Sequence, residues 1–361
     1  MSKWKFSKIT RYIRFDNITS RAQRTNQRDK LAPIRELFET FIRNSQKLMM
    51  PDECVTVDEQ LIPFRGRCSF KQYIPSKPAK YGIKVWALCD AKNFFLYNAE
   101  IYCGKRDGVT IEKNQGENVV LRLLSKHMLQ GLNVTCDNFF TTFSLAQKLL
   151  AKKMTLVGTV RKNRRELPIF TQLVALQREY MHCKKVTLLN YSPKKNKNVV
   201  LFSTMHAFSP ASFEMTDRPE IICYYNKTKG GVDSLDMMGQ NYTVKRISRR
   251  WPVTVFYHII DMALMNAYNV FREIYPTFFP VKKNGRRIFI DSVALSLIES
   301  AKNDPVEQPR LPMQPLPKRQ RCEVCPRASY KKSNIICQKC AKVLCPTHRL
   351  VTCSDCFNKI Q

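Results

Sequence analysis

The sequence predicts a mixed α/β fold: a sheet-based domain with helices on its faces, followed by a small C-terminal module organised by metal. Three observations carry this. Short runs rich in Val, Ile, Leu and aromatic residues alternate with segments of helical period through most of the chain. With 361 residues and a 44% hydrophobic share, the chain has room for two or three domains and a substantial core. Half of its fourteen cysteines lie between Cys322 and Cys356, as three C-x2-C pairs and one C-x2-H pair.

Taken in order, residues 1–54 alternate basic stretches with an amphipathic segment, LAPIRELFETFIRNSQKLM. Its Leu37, Phe38, Phe41 and Ile42 recur at helical spacing. VTVDEQLIPF then predicts a strand, and KYGIKVWALCD and FFLYNAEIYCG, parted by a polar turn, predict two more in antiparallel order. ENVVLRLLSKHML has helical period. NVTCDNFF is a strand that breaks at Asp137, TTFSLAQKLLAKK a helix behind it, and MTLVGTV a further strand, so residues 55–161 read as one unit.

Residues 162–222 differ. VTLLNYS and VVLFSTM are strands around the basic turn PKKNKN, which predicts a β-rich insertion. Residues 223–302 return to helical patterning, with a long apolar stretch from Trp251 to Tyr275. Residues 303–321 are rich in proline and charge and read as a linker.

Charge narrows the partner. The chain carries 61 Lys and Arg against 29 Asp and Glu, a formal net charge of +32. An excess of that size attracts polyanions and favours phosphate contacts that release counterions, which points to nucleic acid. No apolar run approaches the roughly 18–20 residues of a membrane span. The N-terminus is basic without the apolar core of a secretory signal, so a soluble, intracellular chain with no membrane partner is expected.

Against that background three carboxylates stand out. Asp58 lies within the first strand, Asp137 ends the fourth, and Asp233 opens a helix with Asp236 one turn later. Carboxylates from two strands and a following helix can converge on Mg²⁺, which prefers oxygen ligands and keeps room for water and phosphate. Two such ions roughly 3.5–4 Å apart activate an attacking oxygen and stabilise a leaving one. Each residue also has a plain structural reading. Asp58 fits an ordinary strand carboxylate, Asp137 a cap for the helix starting near Thr141, and Asp233 and Asp236 a helix N-terminus.

The segments VDEQLIPFRGRCSFKQYIPSKPAKYGIKVWALCD, VTCDNFFTTFSLAQKLL, VGTVRKNRREL, YYNKTKGGVDSLDMM and RRWP together resemble the core of piggyBac-family transposases, in order and over nearly the whole chain. The resemblance implies an RNase H-like catalytic core, residues 55–161 and 223–302, with an insertion before its last helices. It places the catalytic aspartates on Asp58, Asp137 and Asp233 and an additional acidic ligand on Asp236, holding two Mg²⁺ or Mn²⁺ ions. The implied reaction is cut-and-paste transposition at TTAA sequences, on double-stranded transposon ends in the nucleus, by a homodimer in the full-length form. Family members usually carry a longer N-terminal region, so residues 1–54 are expected to be part of a DNA-binding and dimerisation region.

Basic residues flank these motifs. Lys71, Lys77, Lys80 and Lys84 interleave with Tyr73 and Tyr81, a pattern suited to tracking a nucleic-acid backbone and stacking on bases. Arg161, Lys162, Arg164 and Arg165 follow a strand, and the resemblance assigns DNA handling to this stretch. Trp251 fits either DNA stacking or the start of a core helix.

The tail reads C-x2-C, C-x2-C, C-x2-H, C-x2-C. Cys322, Cys325, Cys337, Cys340, Cys345, His348, Cys353 and Cys356 are eight ligands for two tetrahedral Zn²⁺ ions. The order invites a cross-brace in which the first and third pairs share one ion. Ubiquitin-ligase domains of the RING type use that topology, so a zinc interaction module competes with the tail that piggyBac transposases use on transposon-end DNA. The basic flanks PLPKRQR and YKK suit phosphate contacts or nuclear import. A catalytically silent, transposase-derived DNA-binding protein is the other alternative.

Overall fold

The computed structural model describes residues 2–17, 29–104, 112–124, 131–170, 173–206, 218–277, 284–303, 316–336 and 342–348. These form two compact units, residues 1–287 and 288–361. The division between them falls inside the helix Gly285–Asn303.

The first unit is built on one sheet. Its strands are β1 (Cys54–Pro63), β2 (Gln72–Tyr73), β3 (Tyr81–Asp90), β4 (Leu96–Ile101), β5 (Asn133–Cys136), β6 (Thr155–Val160), β7 (Arg178–Cys183), β8 (Val186–Lys194) and β9 (Lys197–Ser203). Around them lie α1 (Lys3–Tyr12), α2 (Arg35–Leu48), α3 (Gln115–Leu124), α4 (Phe143–Ala151), α5 (Glu220–Thr228), α6 (Gly231–Asn241) and α7 (Trp251–Ile274), while α8 (Gly285–Asn303) begins in the first unit and continues in the second.

Strand order explains the fold. Antiparallel β4-β3-β1 is continued by β5 and β6, each parallel to the strand before it. That is the RNase H-like arrangement the resemblance implies. The strands of the 162–222 region then pair onto β6 through β9, antiparallel, and extend the same sheet as β9-β8-β7. The expected β-rich insertion thus continues the core sheet. The β7 strand went unrecognised because REYMHC, half-buried and polar at an edge, lacks the apolar alternation of its neighbours.

Period-2 alternation divides β1 between two cores. Val55 and Val57 pack with Trp86, Leu88 and the α3 and α4 residues Val119, Val120, Leu145 and Leu149. On the opposite face Ile62, Ile83, Val85 and Ala87 pack against Phe38 and Ile42 of α2, Leu235 of α6, and Ile259 and Met262 of α7. Strand β3 contributes to both, which is why YGIKVWALCD is nearly continuous in apolar residues.

Helix α1 buries no residue and is tethered by its end. Arg250 donates to the carbonyls of Arg11 (2.9 Å) and Ile13 (2.6 Å), satisfying orphan acceptors at the helix C-terminus.

A buried carboxylate joins α3 to α4. Glu117, 2% exposed, accepts from Thr142 Oγ1 (3.0 Å), Ser144 Oγ (2.9 Å) and Lys148 Nζ. Burial alone would raise its pKa, but these donors outweigh it and hold the carboxyl below its usual value. Glu117→Ala leaves the donors without their acceptor and is expected to cost roughly 2–4 kcal/mol in denaturant unfolding at pH 7. The contribution is present above the unfolded-state pKa and lost as pH falls through the lower folded value, so variant and wild type converge in acid. An unchanged stability at pH 7 would refute this account.

Candidate active site

The site is assembled on the β1 face that bears Thr56, Asp58 and Gln60. Thr56 Oγ1 donates to the Thr228 carbonyl at the end of α5 (2.6 Å), and Gln60 Nε2 donates to Asp236 Oδ1 in α6 (3.0 Å). Asp58, between them in the strand, therefore faces the α5–α6 junction.

Asp137 joins it through strand register. Parallel pairing of β1 with β5 matches Thr56 with Thr135 and Val57 with Cys136, so Asp58 and Asp137, which directly follows β5, each come one residue after the last matched pair of strands spaced about 4.8 Å apart. Thr135 supports this: its Oγ1 lies 2.9 Å from Thr228 Oγ1, on the same face as Thr56.

Close backbone approach delivers the helix. Gly231 opens α6 directly against β1, where an added Cβ would lie 2.5 Å from Thr56 Oγ1 and 2.9 Å from Thr56 Cβ. Only glycine permits that contact, and it brings Asp233, in the first turn of α6, beside the strand.

The structural alternatives resolve unequally. Helix α4 is capped by Thr142, whose side chain accepts from Leu145 N (2.9 Å), so Asp137 is not the cap. Asp137 instead accepts from the Phe139 amide in a tight turn (2.9 Å). Asp233 does occupy the first turn of its helix, where the dipole favours an anion.

Electrostatics at the site are those of crowded anions. Burial pushes the Asp58 carboxyl up to about 7, and the neighbouring charges of Glu59 and Asp137 add to it. Burial likewise raises Asp236, with Asp233 adding to the effect. Such a set of oxygen donors fits a hard divalent cation, which would relieve the repulsion. The carboxylates are not gathered around one point, however. Among the described residues, only a Cys/His quartet has ligand atoms that all lie within 4.8 Å of one another.

The expected DNA-contacting side chains lie around this face with contacts of their own. Arg161 Nε donates to Asn138 Oδ1 (3.1 Å) and Arg164 to the Asn138 carbonyl (3.3 Å), which ties both guanidinium groups to the Asp137 turn. Lys162 and Lys80 are exposed, Lys80 with φ of +55°. Lys71 donates to the Gly66 carbonyl (3.1 Å), beside an exposed Tyr73–Tyr81 ring pair 4.8 Å apart. Lys77 turns inward, 3.4 Å from Asp233 Oδ1. Trp251 is half-buried, edge-on to Phe70 at 5.0 Å in the second core.

Sequence reasoning missed several neighbours. Gln60 and Tyr225 flank the aspartates, and Tyr225 bonds Thr159 while burial pushes its phenol up to about 12. The basic loop between α6 and α7 also went unassigned. Asp261 accepts from Thr243 Oγ1 (2.6 Å) and the Val244 amide (2.9 Å), and Lys245 donates to the Pro63 carbonyl (2.8 Å). The signal available was the run KRISRR directly before Trp251.

In the second unit Cys322, Cys325, Cys345 and His348 form the quartet, with Cys325 Sγ 3.5 Å from Cys345 Sγ and 3.4 Å from His348 Nδ1. Tetrahedral thiolates on bonds of about 2.3 Å stand about 3.8 Å apart, so the set fits zinc. The first and third pairs are thus brought together, as a cross-brace requires. Burial opposes ionisation of Cys345, but hydrogen bonds led by the His348 amide bring its pKa down to about 6, toward the ligating thiolate. Cys337, Cys340, Cys353 and Cys356, expected to hold a second ion, lie outside the described residues.

Comparison with known proteins places this geometry. Residues 1–268 match the family model described as Transposase IS4. The chain is 24% identical over 268 residues to human PiggyBac transposable element-derived protein 3, covering 67% of this chain and 44% of that protein. It is 22% identical over 269 residues to human PiggyBac transposable element-derived protein 2, covering 68% and 45%. It therefore spans less than half the length of these curated relatives. Among solved structures, the piggyBac transposase synaptic complex with hairpin DNA is similar at a TM-score of 0.75 and 32% identity, over 98% of this chain and 80% of that one.

Proposed function

Because this chain belongs to the piggyBac transposases, within the family described as Transposase IS4, we propose that it cuts and rejoins double-stranded DNA by phosphoryl transfer. The reaction is cut-and-paste transposition of elements flanked by TTAA. What supports this reading is the parallel pairing of β1, which bears Asp58, with β5, which Asp137 directly follows, and the N-terminus of α6 packed against β1.

Asp58, Asp137 and Asp233 would hold two Mg²⁺ or Mn²⁺ ions, with Asp236 as the additional acidic ligand. When bound, those ions activate the attacking oxygen and stabilise the leaving one. Arg161 and Arg164, fixed at the Asp137 turn through Asn138, are placed to grip the phosphates flanking the scissile bond. Lys162, Lys71 and Lys80 add charge along the strand, and Tyr73 with Tyr81 offers a stacking surface for unpaired bases. The zinc quartet folds a tail whose basic flanks contact the transposon end. The compartment this reading requires is the nucleus, and the full-length form acts as a homodimer.

The test is a labelled duplex carrying cognate transposon ends beside TTAA. Mg²⁺- or Mn²⁺-dependent nicking at the end is expected. If the chain binds that duplex yet leaves it intact with both metals, a silent DNA-binding descendant is the correct reading. Ubiquitin transfer with a conjugating enzyme, and no DNA cleavage, would instead indicate a RING-like module.

A further inference from the structure

We propose that Lys77 holds Asp233 away from the metal-binding carboxylates, so that Lys77 and a divalent ion compete for one side chain. This rests on the metal-dependent reading of the site given above.

Lys77 Nζ lies 3.0 Å from the Glu59 carbonyl, which accepts its hydrogen bond, and 3.4 Å from Asp233 Oδ1. The two partners of the ion pair differ in freedom: the Lys77 side chain is 17% exposed, that of Asp233 68%. Lys77 is also fixed from its backbone. Its amide donates to the Ile74 carbonyl (3.2 Å), its carbonyl accepts from Lys80 N (3.0 Å), and Ile74 N closes the turn on the Lys80 carbonyl (2.8 Å). The lysine is therefore the anchored partner and the aspartate the movable one.

Position makes this contact consequential. The Glu59 carbonyl follows Asp58 directly in β1, so the ammonium sits between the strand that bears Asp58 and the helix that bears Asp233. The Lys77 ammonium thus supplies positive charge beside the anionic cluster. An Asp233 oxygen engaged by an ammonium is not free for a cation on the Asp58–Asp137 side, and two cations sharing that carboxylate repel each other. Asp233 must leave Lys77 to complete the metal site. The spread of the four carboxylates beyond common ligand distance agrees with this.

The experiment measures Mn²⁺ binding by electron paramagnetic resonance of the free ion, using the full chain and the metal alone. Binding that disappears in an Asp58→Asn/Asp137→Asn double variant is assigned to the carboxylates. Lys77→Met is expected to tighten that binding about tenfold, and Lys77→Arg to leave it within about threefold of wild type. In an Asp233→Asn background the gain from Lys77→Met is expected to shrink below about threefold, because the competed side chain is gone. Melting curves give a second readout: Lys77→Met should melt lower without metal and gain more from saturating Mn²⁺ than wild type.

Unchanged or weaker Mn²⁺ binding in Lys77→Met overturns the proposal and leaves Lys77 a structural ion-pair partner. A full gain that persists with Asp233→Asn overturns it too, since the lysine would then act through general repulsion. If wild type and the Asp58→Asn/Asp137→Asn variant bind Mn²⁺ alike, the metal reading of the site fails, and this inference fails with it.

Discussion

Asp137→Asn is expected to reduce metal-dependent strand cleavage by at least roughly 10³-fold while leaving the fold intact, because charge stabilisation by bound metal contributes several kcal/mol at about tenfold per 1.4 kcal/mol. Asparagine is the informative replacement. Its Oδ1 can still accept from the Phe139 amide, so the turn that follows β5 keeps its hydrogen bond. The helix behind it keeps its cap as well, since that cap is Thr142. What the substitution removes is the negative charge beside Asp58. The measurement is the single-turnover cleavage rate on a labelled transposon-end duplex, with thermal melting and duplex affinity in parallel. Relief of repulsion at Asp58 should make the variant melt no lower than wild type. Cleavage at the wild-type rate by a folded Asp137→Asn protein would remove the aspartates from the chemistry.

Removing zinc is expected to unfold the second unit's ordered segment while sparing the first. Around the quartet, the buried apolar side chains among the described residues are few: Val343 and Leu344, with Cys322 and Cys345 as ligands. Its described strands are two-residue pieces, Gln320–Arg321 and Lys332–Ser333. So small a core does not offset the entropy of ordering the chain, whereas structural zinc supplies about 10–16 kcal/mol of apparent binding free energy at pH 7. With a strong chelator, or in Cys345→Ser, amide exchange at Val343 and Leu344 should rise to that of an unfolded peptide. The transition of residues 1–287 should stay in place, because that unit has its own cores. Metal analysis should return one zinc per chain for the quartet, and two if Cys337, Cys340, Cys353 and Cys356 hold a second. Persistent protection at Val343 in metal-free protein would show that the tail folds without an ion.

How far the site was legible in the sequence varied with the range of the interactions. Asp58, Asp137 and Asp233 stood out because each interrupts a strand or opens a helix in an otherwise basic chain. Motif spacing also sufficed for the cysteine and histidine pairs, since a C-x2-C turn presents both sulfurs to one ion whatever surrounds it. The inward turn of Lys77 was not legible. In sequence it is one lysine among four in a basic run, and only the fold of residues 74–80 against β1 separates it from the exposed Lys80. Gln60 was overlooked for a related reason: a buried amide beside a carboxylate leaves no periodic signature.

The sequence by itself determined the alternation of strands and helices, the excess of positive charge, the carboxylates available for metal and the pairing of zinc ligands. These are properties of side-chain chemistry and short-range spacing, which a chain carries into any fold. The tertiary structure decided that the strands of residues 178–203 extend the core sheet, that the strand bearing Asp58 pairs in parallel with the one Asp137 follows, and that Lys77 forms an ion pair with Asp233. Those outcomes depend on strand register and on helix–strand contact between residues 40 or more positions apart. No local period encodes such contacts. They follow from burying both faces of one sheet at once, a constraint the whole chain satisfies together.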